Sequence, residues 1–90
     1  MKEIECNISG KVVMVMFRDF ARRKARGLGI VGEVENLENG NVKVVAQGSE
    51  KKLEEYIQHL HKGPFMARVA RVDVEWREPK GDFTDFNIRY

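Results

Sequence analysis

Cysteine is almost missing from this 90-residue chain: Cys6 stands alone. One thiol can neither close an internal disulfide nor build a thiolate metal cluster. Histidine is scarce too, with only His59 and His61, and the two prolines are too few to mark a rigid linker. No apolar run approaches the roughly 20 residues that a membrane helix needs. The opening residues Met1-Lys2-Glu3-Ile4-Glu5 lack the apolar stretch of a secretory signal. Together these absences lead us to expect a protein of the reducing cytoplasm. An excess of one charge is also lacking: 16 basic residues face 14 acidic ones, a net +2, too even to announce nucleic acid. What is present is a hydrophobic content of 42%, enough for one small core and too much for a disordered chain. The expectation is one domain over residues 1–90.

Two periods alternate along the chain. Ile4, Cys6 and Ile8 alternate with Glu3, Glu5 and Asn7, the pattern of a half-buried strand, and Gly10 is expected to end it. From Phe17 the spacing becomes helical through Phe20, Ala21, Ala25 and Leu28, with Arg22, Arg23 and Arg26 on the outer arc. Gly27 and Gly29 predict its end. Strands follow at about 30–37 and 42–48, joined by Glu38-Asn39-Gly40-Asn41. Asn-Gly predicts a tight hairpin with both central residues at positive φ. Ser49 reads as the cap of a second helix bearing Leu53, Tyr56, Ile57 and Leu60, stopped by Gly63-Pro64. Val72, Val74 and Trp76 then point one way, and Arg71, Asp73, Glu75 and Arg77 the other. A turn at Lys80-Gly81-Asp82 leads to a short strand with Phe86, Ile88 and Tyr90 inward. The order predicts an α+β fold: a ferredoxin-like βαββαβ two-layer sandwich, its antiparallel sheet carrying both helices on one face, with a short extra C-terminal strand. The charged alternate residues are expected to stay wet. That fold serves many functions, so function must come from a site.

Two segments could carry one. The stretch from Gly10 to Arg18 joins a strand to a helix and puts an arginine in the helix's first turn. Helix N-terminal amides are orphan donors at the positive end of the dipole, and arginine adds a charged fork matched to phosphate oxygens. The plainer reading makes Val12, Met14, Met16 and Phe17 core and leaves Arg18 solvated. The second segment is Gly32-Glu33-Val34-Glu35-Asn36. Its asparagine is either a turn-former or, with donor and acceptor on one side chain, a group that positions a water.

Here the residues carry a resemblance. Gly10-x-Val12-x-x-Val15-x-Phe17-Arg18 resembles the phosphate loop of the acylphosphatase family, whose usual form is Gly-x-Val-Gln-Gly-Val-x-Phe-Arg. Gly32-x-Val34-x-Asn36-x-x-x-Gly40-x-Val42, followed by Gly48, has the spacing of that family's second signature. The likeness continues through Gly63-Pro64, Ala67, Val69, Val72, Lys80-Gly81 and Asp85-Phe86, covering essentially the whole chain. It implies hydrolysis of an acyl phosphate to carboxylate and inorganic phosphate. Arg18 would hold the phosphoryl group, Asn36 would orient the attacking water, and the amides of Met14, Val15, Met16, Phe17 and Arg18 would cradle the phosphate. It implies a small-molecule substrate and no metal or organic cofactor. Nucleic acid and membrane are not expected as partners, and a monomer is.

Val13-Met14 stands where the family has Gln-Gly. Glycine permits positive φ, so Met14 is expected to carry strain of order 1–3 kcal/mol or to reshape the loop, weakening activity. The alternative is therefore a weak or inactive domain serving as an anion-binding or interaction module. A third reading, an RNA-binding module built on the basic helix face, lacks the aromatics that such modules place on their central strands. Trp76, Phe86 and Tyr56 are expected in the core, Cys6 as an inert buried thiol, and both histidines away from the site.

Overall fold

The computed structural model describes residues 1–13 and 15–90. Its elements are β1 (Lys2–Lys11), α1 (Phe17–Gly27), β2 (Val31–Asn36), β3 (Val42–Gly48), α2 (Glu50–Lys62), β4 (Arg68–Arg77) and β5 (Phe86–Arg89). They form the expected ferredoxin-like βαββαβ sandwich with an added strand. The sheet order is β4-β1-β3-β2-β5, antiparallel except where β5 pairs with β2 in parallel.

Register carries the alternation across the sheet. Ile4, Cys6 and Ile8 lie opposite Ala46, Val44 and Val42 on one side, and opposite Trp76, Val74 and Val72 on the other. That single apolar face packs against Phe17, Ala21 and Ala25 of α1 and Leu53, Tyr56 and Leu60 of α2, all buried. Burial of each large apolar side chain among them, such as Phe17, Leu53 or Leu60, stabilises the fold by about 1.5–3 kcal/mol. The Tyr56 hydroxyl donates to the Ala21 carbonyl at 2.9 Å, tying α2 to α1, and burial pushes its pKa well up. Ser49 caps α2, its hydroxyl accepting from the Lys52 amide at 3.3 Å. Among the described residues, no helix is long and apolar enough to cross a membrane.

Several expectations are corrected. Gly10 does not end the first strand. The strand continues to Lys11, past a register shift at which β4 carries the extra residue, Ala70, and a Cβ on Gly10 would stand 2.1 Å from the Arg68 carbonyl oxygen. The hairpin is not a two-residue turn. Leu37 donates to Asn41 O at 2.8 Å and Gly40 donates to Leu37 O at 3.1 Å, enclosing three residues. Only Gly40 there has positive φ, while the Asn39 side chain accepts from the Asn41 amide at 3.0 Å. The second strand stops short of Ile30, whose amide instead donates to Ala25 O at the end of α1.

Glu3 is not wet but fully buried, because the segment after β4 folds over the outer face of the sheet. Its carboxylate accepts from Gln47 Nε2, Arg77 and the Lys80 amide. Trp76 is not core: it lies on the inner face, but β4 is an edge strand and the indole is 42% exposed. Tyr90 does not turn inward and is exposed, unlike Phe86, which is buried edge-on against Tyr56 at 6.0 Å.

Candidate functional site

The site begins where β1 leaves the sheet. Just before the loop its register with β4 shifts between Ser9 and Gly10, where β4 carries the extra residue, Ala70, a bulge of the kind often found beside functional sites. Val12 then plunges into the core, and Met16 turns the chain into α1 with a left-handed backbone, φ 60° and ψ 26°. Met16 occupies the cap position but offers no side-chain hydrogen bond to the helix. Met14, where left-handed strain is expected from the sequence, lies outside the described residues. Among those described, Met16 is the non-glycine residue with positive φ.

Phe17 opens α1 and anchors it in the core, which fixes the direction of the next residue, Arg18. The guanidinium of Arg18 lies over the Tyr90 ring, 5.0 Å from its centroid, a favourable seat for a planar cation. Asn36 comes from the end of β2. The core-side alternation of Gly32, Val34 and Asn36 turns its side chain towards α1, while Glu33 and Glu35 face the other way. The structure brings Arg18 and Asn36 to one cavity of about 160 Å³, lined also by Val12, Met16, Phe17, Asp19, Ile88 and Tyr90.

Two features suit that cavity to an anion and a water. The first-turn amides of α1 have no intrahelical acceptors and sit at the positive end of the helix dipole. Asn36 Oδ1 is buried with no hydrogen-bond partner among the described residues, and a buried acceptor left unpaired costs about 1–3 kcal/mol. A donor such as a water would relieve it. Asp19 is the one carboxylate on the cavity wall, and it is engaged by Arg23 at 2.9 Å and Arg22 at 2.7 Å. Those hydrogen bonds hold its carboxyl below the usual range and offset its repulsion of an incoming anion.

A larger depression of about 500 Å³ lies elsewhere, lined by Lys2, Glu50, Glu54, Trp76, Arg77 and Glu78. Its three carboxylates make it a poor host for a phosphoryl dianion despite its size. Among the described residues, no group of three or more His, Cys, Asp or Glu could hold a metal ion. His59 and His61 lie on α2 and do not line the Arg18 cavity. Cys6 is buried, with its pKa pushed up to about 12 by desolvation and then by the charge of Glu5, so the thiolate is not available near neutral pH.

Sequence reasoning missed the walls of the site: Met16 as the strained cap, Asp19, Ile88, and Tyr90 as the seat of Arg18. The only sequence signal for Met16 is negative, since none of the residues preferred as helix caps immediately precedes Phe17.

Comparison with known proteins agrees with this geometry. The family model described as Acylphosphatase matches residues 4–88. An acylphosphatase of Salinibacter ruber is 41% identical over 98% of this chain and 93% of its own length. One of Methanococcoides burtonii is 42% identical over 94% of this chain and 88% of its own. The crystal structure of acylphosphatase from Bacillus subtilis superposes with a TM-score of 0.97 at 26% identity, covering both chains completely. An acylphosphatase structure from Coxiella burnetii reaches a TM-score of 0.91 at 36% identity, over 98% of this chain and 92% of that one. With this order of elements and these matches over nearly the whole chain, the chain belongs to the acylphosphatase family and is an acylphosphatase, a hydrolase of acyl phosphates.

Proposed function

We propose that Arg18 and the backbone amides of Met14, Val15, Met16, Phe17 and Arg18 hold the phosphoryl group while Asn36 orients the attacking water. The observation that carries this reading is the convergence of Arg18, from the first turn of α1, and Asn36, from the end of β2, on one small cavity. In the proposed step the water oxygen bonds to phosphorus in line with the leaving group. The bond from phosphorus to the carboxyl oxygen breaks, and its electron pair departs on the carboxylate. Both hydrogens of the water begin on the phosphate product, dihydrogen phosphate, which then equilibrates with solvent.

Such a transition state is loose and asks mainly for positioning and charge stabilisation. The guanidinium and the amides donate to the equatorial phosphoryl oxygens, and Asn36 Oδ1 accepts from the water. The leaving carboxylate has a conjugate acid of pKa near ~4, so no strong general acid is required. That agrees with a cavity that contains no histidine. We take residues 1–90 as one catalytic domain acting as a monomer. The lone buried thiol favours a reducing, cytoplasmic location.

The roles of the two side chains separate kinetically. With benzoyl phosphate as substrate, Arg18→Ala should lower kcat/KM by about 100- to 1000-fold and abolish competitive inhibition by inorganic phosphate. Asn36→Ala should lower kcat comparably while phosphate still inhibits. Hydrolysis by a folded Arg18→Ala protein at the parent rate would refute the assignment.

A further inference from the structure

We propose that an apolar groove beside the Arg18 cavity receives the acyl group of the substrate, so that the enzyme favours acyl phosphates with an aromatic or bulky apolar acyl group over acetyl phosphate. This deepens the reading above and rests on the phosphoryl group sitting at Arg18. The groove, about 340 Å³, is lined by Val15, Met16, Arg23, Pro64, Phe65 and Met66. Its only charged member, Arg23, has its Nε engaged by Asp19 at 2.9 Å, which leaves the aliphatic stem as wall. Phe65 is 97% exposed, Met16 73% and Met66 61%. Large apolar side chains gathered on the surface of so charged a chain mark a binding surface rather than a core.

Position ties that surface to the reaction. Met16 lines both the groove and the Arg18 cavity, so the two lie side by side with that residue as a shared wall. The turn that carries Phe65 is held against the start of α1. Gly63 has φ 69°, and a Cβ there would meet the Phe17 ring at 3.3 Å and Val69 at 3.1 Å. The Ala67 amide then donates to Pro64 O at 3.0 Å, closing the turn with Phe65 and Met66 at its tip. Asn36 lines the cavity but not the groove. In-line attack sends the leaving carboxylate away from the water, and the groove offers that carboxylate's apolar substituent a place away from Asn36. Its volume falls in the range of small-ligand sites, whereas an acetyl group is too small to fill it.

Phe65→Ser and Met66→Ser test this on exposed positions, with folding checked by circular dichroism. Benzoyl and acetyl phosphate are compared as substrates, and inorganic phosphate serves as inhibitor. The expected result is a rise of about tenfold in KM for benzoyl phosphate with little change in kcat. Turnover of acetyl phosphate and inhibition by phosphate should stay as in the parent. An unchanged benzoyl-to-acetyl ratio, or equal losses on both substrates, would overturn the proposal. So would an unchanged ratio accompanied by loss of concentration-dependent self-association, which would assign the patch to a second copy of the chain. Arg18→Ala separates the two readings: if it hydrolyses both substrates at the parent rate, the phosphoryl site itself is misplaced.

Discussion

Met16 carries a left-handed backbone at the mouth of the site, with no glycine to make it easy and no cap hydrogen bond to repay it. For a side chain with a Cβ that conformation costs roughly 1–2 kcal/mol. Its side chain is mostly exposed, so little packing compensates. Replacing it with glycine removes the strain but adds unfolded-state freedom, so Met16→Gly should stabilise the protein by about 0.5–1 kcal/mol in urea denaturation. A loss of stability would show that the backbone there is unstrained. Arg18 and Asn36 stand out in the sequence through the resemblance to the acylphosphatase family's two signatures, and the structure brings both to one cavity. The left-handed turn at Met16 does not stand out, because it joins two segments, at Val12 and Phe17, whose burial is set by tertiary packing. Tyr90 was misread for a related reason: alternation along β5 predicts an inward ring, but the residue lies beyond the last paired position, where Arg18 is the surface it meets.

At the scale of elements, the segment after β4 is latched to β1 through Glu3. Burial alone would raise the Glu3 carboxyl, but hydrogen bonds from Gln47, Arg77 and the Lys80 amide outweigh it and hold the pKa below the usual glutamate range. A carboxyl whose folded pKa is depressed stabilises the fold above its unfolded value, about 4.3, and that contribution disappears as pH falls through the lower folded value. Stability should therefore fall on acidification below about pH 4, and Glu3→Gln should flatten that part of the profile while lowering stability near pH 7. Thermal denaturation of both proteins from pH 7 to pH 2 checks this, and identical slopes would exclude Glu3 as a contributor. Alternation placed Glu3 correctly on the outer face but could not show that a distant segment covers that face. The same rule placed Trp76 correctly on the inner face but could not show that the helices leave this edge uncovered. Sequence pattern gives the side of a sheet; what lies against that side is a tertiary fact.

Across the whole molecule, a near-neutral total conceals a useful separation. Arg18, Arg22, Arg23, Lys24 and Arg26 face only Asp19 within residues 18–26, while Glu33, Glu35 and Glu38 lie along and just past β2. Most of that basic run is internally matched: Arg22 and Arg23 to Asp19, and Arg26 to Asp85 at 3.1 Å. Arg18 makes no such pair among the described ion pairs and rests on Tyr90 instead. In the proposed mechanism this leaves Arg18 to the substrate, and the small cavity, not the larger acidic one, is the expected anion site. Amide shifts in an NMR titration with inorganic phosphate test this most directly. The account predicts saturable shifts at the amides of Val15 to Arg18 and at the Asn36 side chain, lost in Arg18→Ala. Shifts centred instead on Lys2, Trp76 and Arg77, or shifts at Val15 to Arg18 that persist without Arg18, would contradict it.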